Sequence, residues 1–314
     1  MTTMKAIRFH EYGDPGVLRQ EDVERPEPAA GEVLVEVAAT TYNPVDGAIR
    51  AGYVQQIFPI ALPHTPGIDV AGTVVALGQG VTGLTVGEKV IGFLPMLLEG
   101  AAAEYVSAPA ELLTAAPASI PLTQAAALPV GAQTAWQALF EHAGLQSGQR
   151  VLINGAGGGV GGYAVQLAHY AGAYVIATAS PRSIDAVRAQ GADQIIDYTV
   201  TSVAEAVTEP VDVVINLVAA SESEISALTG LVRDGGVILS TATPAAGDPN
   251  RAVRGLGMQL RTDADQLANI AKLVDSGELR VEVSATYPLS AIASVHEQSA
   301  TGKTRGKVLL IPGS

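Results

Sequence analysis

Arg150-Val-Leu-Ile-Asn-Gly-Ala-Gly-Gly-Gly-Val-Gly-Gly162 is the stretch that decides the fold of this chain. Its apolar start, Val151–Ile153, predicts a strand, and Tyr163–Ala171 after it predicts a helix. A glycine turn between a strand and a helix presents backbone N–H groups to a pyrophosphate, as in dinucleotide-binding folds. The run is so rich in glycine that the register of a G-x-G-x-x-G pattern stays ambiguous. That spacing is met by Gly157, Gly159 and Gly162.

Downstream of this turn, short apolar runs alternate with helical segments. Helices are predicted at Ser183–Gln190 and Ser223–Val232. Continuous apolar strands that alternate with helices are typical of a parallel sheet covered on both faces, so an α/β fold is predicted here. The strands predicted after the first one are Tyr174–Ala177, Gln194–Asp197, Val211–Asn216, Val237–Ser240 and Met258–Arg261.

The two ends of the chain read differently from this middle part. Glu32–Ala38 and Val70–Ala76 alternate as half-buried strands do, and glycine turns separate such strands up to about position 120, which predicts a small barrel or sandwich. The character changes over residues 121–142, where helices are predicted at Gln124–Leu128 and Thr134–Phe140, with breaks at Pro129 and Gly131. Near the C-terminus, Lys307–Ile311 returns to a strand pattern. We therefore expect one domain from residues 1–121 and 263–314, interrupted by a nucleotide domain over 122–262.

Composition narrows the class of protein. The chain has 314 residues, a formal net charge of −13 and no cysteine. An acidic chain does not suit nucleic acid, and without cysteine there is neither a disulfide nor a thiolate metal site. The first residues lack the apolar core of a signal peptide, and no run approaches the ~18 apolar residues of a membrane span. We expect a cytoplasmic protein with neither a nucleic-acid nor a membrane partner.

The end of the second predicted strand indicates which dinucleotide is bound. NAD sites carry an Asp or Glu there, roughly 20 residues beyond the glycines, for the ribose hydroxyls. This chain has Ala177-Thr-Ala-Ser-Pro-Arg-Ser183 instead, with no acid. The hydroxyl of Ser180 and the guanidinium of Arg182 suit a 2′-phosphate, because Arg pairs with phosphate through two hydrogen bonds. NADPH is therefore the predicted cofactor.

These motifs resemble one known family. Gly155-Ala-Gly-Gly-Gly-Val-Gly161 is similar to the glycine signature of the zinc-independent quinone oxidoreductase (zeta-crystallin-like) branch of the medium-chain dehydrogenase/reductase superfamily. The resemblance covers nearly the whole chain and implies a GroES-like β-barrel domain plus a Rossmann domain with a doubly wound parallel sheet. It also implies NADPH between the two domains and a homodimer through the Rossmann sheet edges. Further matching segments, in family order, are Asn43–Asp46, Pro66–Val74, Val86–Val90, Ala103–Val106, Ala132–Trp136 and Thr304–Val308.

The resemblance also implies roles for single residues. It places Asn43 and Thr134 near the nicotinamide. It places Gly158, Gly159 and Val160 under the pyrophosphate, beside Gly157. Around the adenosine phosphate it places Ser180, Arg182 and Tyr198, and flanking the ribose and nicotinamide Leu217, Val218, Thr241 and Ala242. Other readings stay open, since Asn43 could only begin a turn before Pro44 and Tyr198 could pack on a helix.

Departures from the family pattern bear on metal and substrate. Zinc-dependent members carry a Cys and a Gly-His-Glu triplet, where this chain has Gly67-Ile68-Asp69, so we expect no catalytic zinc. Ala48 stands where the quinone reductases have a Tyr, and Gly100-Ala-Ala102 replaces a Gly-Gly-Tyr. Lost bulk at both places favours a larger or differently shaped acceptor, although neutral drift explains it equally well.

The expected chemistry is hydride transfer from NADPH to a quinone or an α,β-unsaturated carbonyl. The charge that develops on the acceptor oxygen needs a donor, for which Asn43, Tyr53, Thr134 and a backbone N–H are candidates. The proton comes from Tyr53 or from water. Two alternatives stay open: a biosynthetic enoyl or ketone reductase for one polyketide-like intermediate, and a low-turnover NADPH-binding redox sensor.

Overall fold

The computed structural model describes residues 2–302 and 304–313. The chain forms two compact units. One consists of Met1–Val130 with Thr262–Ser314, and the other of Gly131–Arg261. Residues 122–130, which the sequence placed in the central domain, are grouped with the first unit.

The first unit begins with strands and two helices. In chain order these are β1 (Thr3–Arg8), β2 (Arg19–Glu24), β3 (Glu32–Thr41), α1 (Pro44–Ala51), β4 (Asp69–Leu77), β5 (Lys89–Phe93), β6 (Tyr105–Pro109), β7 (Leu113–Ala115) and α2 (Leu122–Ala125). Helix α3 (Pro129–Trp136) follows and runs on into a π-helical segment, Gln137–His142.

The second unit alternates strands and helices. Its elements are β8 (Arg150–Asn154), α4 (Gly161–Tyr170), β9 (Tyr174–Ala179), α5 (Ile184–Ala189), β10 (Gln194–Asp197), α6 (Val203–Ala206), β11 (Val211–Asn216), α7 (Glu222–Gly230), β12 (Val232–Ser240), β13 (Gly247–Asp248) and β14 (Val253–Gly257). The chain then returns to the first unit with α8 (Ala264–Asp275), β15 (Val283–Pro288), α9 (Ile292–Ala300) and β16 (Lys307–Ile311).

The main sheet of the first unit joins both ends of the chain. Its strand order is β15-β16-β3-β4-β5-β7, with β6 also on β3. Strand β16 pairs antiparallel with β3, so the C-terminal segment joins the sheet formed by the N-terminal strands. The alternation of β3 buries Val33, Val35 and Val37 in a core shared with β4 and β5, as the period of two requires.

The sheet of the second unit has the order β10-β9-β8-β11-β12-β14-β13. All its pairings are parallel except that of β13 with β14. Its central strands are buried apolar runs such as Val151–Ile153 and Val213–Ile215. The chain progresses outward from β8 in both directions, so the sheet is doubly wound and its direction switches between β8 and β11. In such sheets, ligands bind beyond the carboxyl ends of the strands at the switch point.

Gly131 does not break a helix, contrary to the sequence prediction. It lies inside α3, where a Cβ would stand 3.0 Å from Tyr163 Cε2 and 3.2 Å from the carbonyl oxygen of Gly159. Glycine is needed there because the helix backbone approaches the glycine turn closely, at the usual cost in helix propensity. Pro129 does separate two helices, since it is the first residue of α3.

The last strand of the second unit was also misplaced by the sequence prediction. Arg254 pairs with Val237 in β14, and the strand ends before the predicted Met258–Arg261. The backbone after Met258 bonds to side chains instead: Gln137 Nε2 donates to Arg261 O, and Arg261 N donates to Gln137 Oε1. Those side-chain partners satisfy the backbone without a strand.

In the part of the chain that is described, no helix is both long and apolar enough to cross a membrane.

Candidate functional site

The glycine turn begins with a residue that has to be glycine. Gly155 follows β8 with φ +95°, a backbone conformation that side chains disfavour. Its N–H donates to Thr178 Oγ1 (2.9 Å), and a Cβ on it would stand 2.7 Å from Val218. The turn is therefore fixed by β9 on one side and by the segment after β11 on the other.

Gly161 is the second position without room for a side chain. A Cβ there would stand 2.3 Å from the carbonyl oxygen of Gly155 and 2.6 Å from Ala156 Cα. A Cβ on Gly162, by contrast, would meet only the side chain of Gln190. Gly157 is also crowded, because a Cβ there would stand 2.6 Å from Ser183 Oγ and 2.8 Å from Ser183 Cβ. The steric demand therefore falls on Gly155, Gly157 and Gly161, which only partly follows the formal spacing of 157, 159 and 162.

The N-terminus of α4 points its backbone donors out of the turn. The first intrahelical bond runs from Gly162 N to Gly158 O, so the N–H groups of Gly159, Val160 and Gly161 have no acceptor within the helix. Gly158 is exposed, and Gly157 and Gly159 are half-buried. Donors at a helix N-terminus beside glycines that allow close approach fit a pyrophosphate. These residues would hold that part of a dinucleotide.

A row of polar side chains crosses the carboxyl ends of four neighbouring strands. Thr178 Oγ1 donates to Asn154 Oδ1 (3.0 Å), Asn154 Nδ2 donates to Asn216 Oδ1 (2.8 Å), and Asn216 Nδ2 donates to Ser240 Oγ (3.0 Å). We name Thr178, Asn154, Asn216 and Ser240 the strand-end row. Sequence reasoning missed it, although Asn154, Asn216 and Ser240 each end an apolar strand, and that position is the available signal.

The strand-end row supports the segments predicted to flank the ribose and nicotinamide. Asn216 Nδ2 donates to Val218 O (2.8 Å), and Leu217 N donates to Asn154 O (2.9 Å). Thr241 N donates to Asn216 O (3.0 Å), and both Thr241 and its neighbour Ala242 are exposed. The loops after β11 and β12 thus meet beside the glycine turn.

Ser180, Arg182 and Tyr198 lie in the segments that follow β9 and β10. These strands pair in parallel with Asp197 opposite Ala179, so Tyr198 and Ser180 follow at neighbouring strand ends. Ser180 O accepts from Ser183 N (2.8 Å) in the turn before α5, and Arg182 is exposed within that turn. The nearby carboxylate of Asp197 is bound by Thr199 Oγ1 (2.6 Å).

Thr134 lies on α3, three residues after Gly131. Residues at that spacing share a helix face. Gly131 is the residue that packs against Gly159 and Tyr163, so the face that carries Thr134 is the one next to the glycine turn. Thr134 is buried.

Asn43 belongs to the first unit and sits in a buried polar cluster. It is the N-cap of α1, a helix that the sequence analysis did not predict, and only 6% of it is exposed. Its Nδ2 donates to Asp69 Oδ2 (2.8 Å), and its Oδ1 accepts from Lys307 Nζ (2.8 Å). Lys307 and Asp69 form an ion pair (2.9 Å) between buried side chains. Asp69 also accepts from the hydroxyl of Thr41 and from Val130 N.

Asp46 is the second carboxyl group of this cluster. Its Oδ2 accepts from Asn43 N (2.8 Å) and its Oδ1 from Gly67 N (3.3 Å). Burial raises the pKa of Asp46 to about 7, against the hydrogen bond from Asn43, and the charge of Asp69 raises it further. Sequence reasoning gave no role to Asp46, Asp69 or Lys307.

Tyr53 is placed differently from the other candidates. It follows Gly52, the C-cap of α1, and its side chain is 85% exposed. Its N–H donates to Ala48 O (3.0 Å), so the backbone is fixed while the phenol points into solvent.

Metal ligands are not clustered in the described part of the chain: no three His, Cys, Asp or Glu side chains there are arranged to hold a metal ion. Ile68 is buried where the zinc-dependent pattern has a ligand.

Comparison with known proteins identifies the family. Residues 29–118 match the alcohol dehydrogenase GroES-like domain, and residues 190–310 match the family described as zinc-binding dehydrogenase. The chain is 32% identical to the chloroplast envelope quinone oxidoreductase homolog of Arabidopsis thaliana, over 98% of each chain. It is 31% identical to the NADPH-dependent alkenal/one oxidoreductase of the same plant, over 98% of this chain and 80% of that one.

A solved structure agrees over nearly every residue. The quinone oxidoreductase from Coxiella burnetii superposes with a TM-score of 0.92, at 34% identity and over 99% of both chains. The predicted combination of a GroES-like domain with a doubly wound Rossmann sheet is thereby confirmed. The chain is an oxidoreductase and belongs to the quinone oxidoreductase family of the medium-chain dehydrogenase/reductase superfamily.

Proposed function

We propose that this protein is an NADPH-dependent reductase of quinones or α,β-unsaturated carbonyls that needs no metal. The observation that carries the proposal is the grouping of the glycine turn with Ser180, Arg182 and Tyr198 at the carboxyl edge of one sheet. The family, whose relatives are named for quinones and alkenals, supports the acceptor class.

The preference for NADPH rests on charge. A 2′-phosphate at the end of β9 would meet the hydroxyl of Ser180, the guanidinium of Arg182 and the phenol of Tyr198, and would meet no acid from β9 itself. Asp197 is the nearest acid on the neighbouring strand, and Thr199 binds its carboxylate. An acid facing the ribose would repel the phosphate, whereas Arg attracts it.

The protein positions the nucleotide and the acceptor, and the nicotinamide supplies the hydride when the nucleotide is bound. The donors at the start of α4 would hold the pyrophosphate, and the loops after β11 and β12 would set the ribose and nicotinamide against the strand ends. Asn43, Thr134 and Tyr53 are the side chains that we assign to the acceptor oxygen, where negative charge develops. The proton then comes from the exposed phenol of Tyr53 or from water.

The hydrogen bonds of Asp69 support the proposed metal independence. Its carboxylate already accepts hydrogen bonds from four donors, which are the Thr41 hydroxyl, the Asn43 amide, Val130 N and the ammonium group of Lys307. A cation at this carboxylate would compete with an existing positive charge, and Ile68 beside it offers no ligand. The protein therefore has to activate the acceptor with hydrogen bonds alone, which suits conjugated acceptors better than simple ketones.

Nucleotide oxidation with a small acceptor panel tests the proposal. The panel contains 1,4-benzoquinone, 9,10-phenanthrenequinone, an enone and an enoyl thioester, each assayed with NADPH and with NADH after chelator treatment. We expect faster turnover with NADPH and with the quinones or the enone. Turnover of the enoyl thioester alone would support a biosynthetic reductase. Tight NADPH binding without any turnover would support a redox sensor, and loss of activity on chelation would refute metal independence.

We further propose a homodimer through an edge of the Rossmann sheet. On the outer side of β14, β13 already pairs with Val253 and Arg254, which leaves the Leu256–Gly257 end for a second chain. Light scattering during size-exclusion chromatography gives the mass directly. A mass of one chain at micromolar concentration contradicts the dimer.

A further inference from the structure

The side chain of Asn43 is held between a group that only donates and a group that only accepts. Lys307 Nζ donates to Asn43 Oδ1 (2.8 Å), and Asn43 Nδ2 donates to Asp69 Oδ2 (2.8 Å). An ammonium group has no acceptor, and an ionised carboxylate has no donor. The carboxamide therefore has one possible orientation, whereas the two ends of most asparagine side chains are hard to tell apart.

The two partners of Asn43 are themselves fixed. Lys307 and Asp69 are buried and lie 2.9 Å apart, in β16 and at the start of β4. Asp69 also accepts from Val130 N (2.7 Å) and from the Thr41 hydroxyl, and Asp46 holds the backbone N–H of Asn43. A buried ion pair is weak evidence for stability, so a role in orienting Asn43 is a reasonable alternative.

We propose that Lys307 and Asp69 are positioning residues, which orient Asn43 so that its second Nδ2–H is offered to a carbonyl oxygen. Among the described residues, Asn43 Nδ2 has one bonded partner, Asp69, and an amide nitrogen carries two hydrogens. The charge of Lys307 on Oδ1 polarises the amide and strengthens that second donor. The inference rests on the proposed function, in which Asn43 lies at the reacting end of the site.

Two carbonyl oxygens offer the same chemistry: that of the hydride acceptor and that of the nicotinamide carboxamide. A fluorescence titration with NADPH alone separates them. If the carboxamide is the partner, Asn43→Ala raises the Kd of NADPH about 10-fold or more. If the acceptor is the partner, that Kd is unchanged and kcat/KM for the quinone falls instead. Asn43→Ala without an effect on either quantity overturns the proposal.

A mutant cycle separates positioning from simple structural support. The pair variant, Lys307→Met with Asp69→Asn, removes both charges together, because removing one would leave the other buried and unpaired. We expect the pair variant and Asn43→Ala each to raise the Kd of NADPH or to lower kcat/KM for the quinone, whichever is affected, about 10- to 100-fold. The triple variant should be no worse than Asn43→Ala. Losses that multiply in the triple variant would show that the pair acts independently of Asn43, against the proposal.

The side-chain amide signals of Asn43 provide a readout that does not depend on turnover. The chain has five asparagines, so selective 15N labelling gives few side-chain signals, and Asn43→Ala assigns the relevant pair. We expect one strongly shifted, slowly exchanging proton in the wild type and ordinary shifts in the pair variant. Unchanged Asn43 signals in the pair variant overturn the proposal.

The same NMR comparison keeps this inference distinct from the proposed function. If the wild type reduces none of the acceptors in the panel with NADPH, the proposed function is refuted. The amide signals still decide whether the pair orients Asn43. If the pair variant does not fold, Lys307→Arg replaces it, since Arg keeps the charge but moves the donor. That variant is expected to shift the Asn43 amide protons, and unshifted protons count against the proposal.

Discussion

Asn154 and Asn216 link the two central strands of the Rossmann sheet, where Asn154 Nδ2 donates to Asn216 Oδ1 over 2.8 Å. The bond lies at the point where the winding of the sheet changes direction. Asn216 also donates to Val218 O and to Ser240 Oγ, so its amide is fully used. Because these groups are buried or half-buried, removing the amide leaves several of them without a partner.

We therefore expect Asn216→Leu to lower the free energy of unfolding by about 2–4 kcal/mol and to weaken NADPH binding. The second effect arises because Val218 packs against Gly155 and would lose its anchor. Urea unfolding and a nucleotide titration measure the two quantities. Asn250→Leu, at an exposed position of the same unit, is the matched control and should change neither. Equal behaviour of the two variants would mean that the strand-end row does not support the site.

The sequence predicted the sheet of this unit well because buried parallel strands are continuous apolar runs. Val151–Ile153 and Val211–Asn216 are both found where they were expected. Met258–Arg261 was misplaced because its short apolar pattern suits a strand, while its backbone partners are the side chains of a distant segment. Gly131 was misread because local propensity cannot reveal that Tyr163 and Gly159 lie against the helix.

The candidate site also contains residues that the sequence predicted and residues that it did not. Ser180 and Arg182 were predicted from the residues that end the second strand, and Tyr198 from the family resemblance; their contact with a 2′-phosphate stays a prediction. The cluster around Asn43 was not predicted, because Asp69 and Lys307 are 238 positions apart and only the pairing of β16 with β3 brings their strands into one sheet. No local pattern marks such a pair.

Gly161 is expected to tolerate no substitution, because a Cβ would collide with backbone atoms of Gly155 and Ala156. We expect Gly161→Ala to destabilise the protein by about 2 kcal/mol or more, as overpacking does. Gly158→Ala should fold normally, since its Cβ would meet only Gly155 O at 3.3 Å, yet bind NADPH more weakly. Gly230→Ala, where a Cβ meets nothing, is the neutral control. Thermal unfolding with and without NADPH compares the three, and a stable Gly161→Ala would contradict the packing argument.

Arg182 is expected to set the nucleotide preference. Replacing it with Ala removes a charged donor to the 2′-phosphate, so kcat/KM for NADPH should fall about 10- to 100-fold while the value for NADH changes little. Arg188→Ala is the matched control, because Arg188 is exposed on the adjoining helix and paired with Asp185 (2.9 Å). Steady-state kinetics with both nucleotides give the ratio. An unchanged ratio in Arg182→Ala would refute the assignment of this residue to the phosphate.

His296 is expected to make the protein sensitive to acid. Burial, with Arg50 nearby, lowers its pKa to about 3, and its ring packs edge-on against Tyr42 at 4.6 Å between centroids. The unfolded chain binds the proton more tightly, so this contribution to stability is present above pH 6.5 and is lost as the pH falls toward 3, by up to about 5 kcal/mol. His296→Phe keeps an aromatic ring that takes up no proton, so it should reduce the loss of unfolding free energy at acid pH. His10→Gln, at an exposed site, should not. Urea unfolding midpoints of the wild type and both variants, measured from pH 7 to 4, test this expectation.

Asp46 is expected to act in the opposite direction over an overlapping pH range. Its folded pKa of about 7 lies above the ordinary value of 3.8, so the folded state holds the proton more tightly. The stabilising contribution is complete below pH 3.8 and is lost as the pH rises through 7, by up to about 4 kcal/mol. Asp46→Asn imitates the protonated carboxyl group and should remove this slope, although one of the two backbone donors, Asn43 N or Gly67 N, then loses its acceptor.

The two opposing slopes of Asp46 and His296 are separated by the difference between variant and wild type at each pH. For Asp46→Asn, the free energy of unfolding relative to wild type should rise between pH 4 and about 7 and then level off. For His296→Phe the same difference should fall between pH 4 and 6.5 and then stay level. Because Asp46 holds the backbone of Asn43, its ionisation above pH 7 should also favour the hydrogen bond from Asn43 N. A difference curve for Asp46→Asn that is flat across the range would mean that this carboxyl group is already ionised in the folded protein at pH 4.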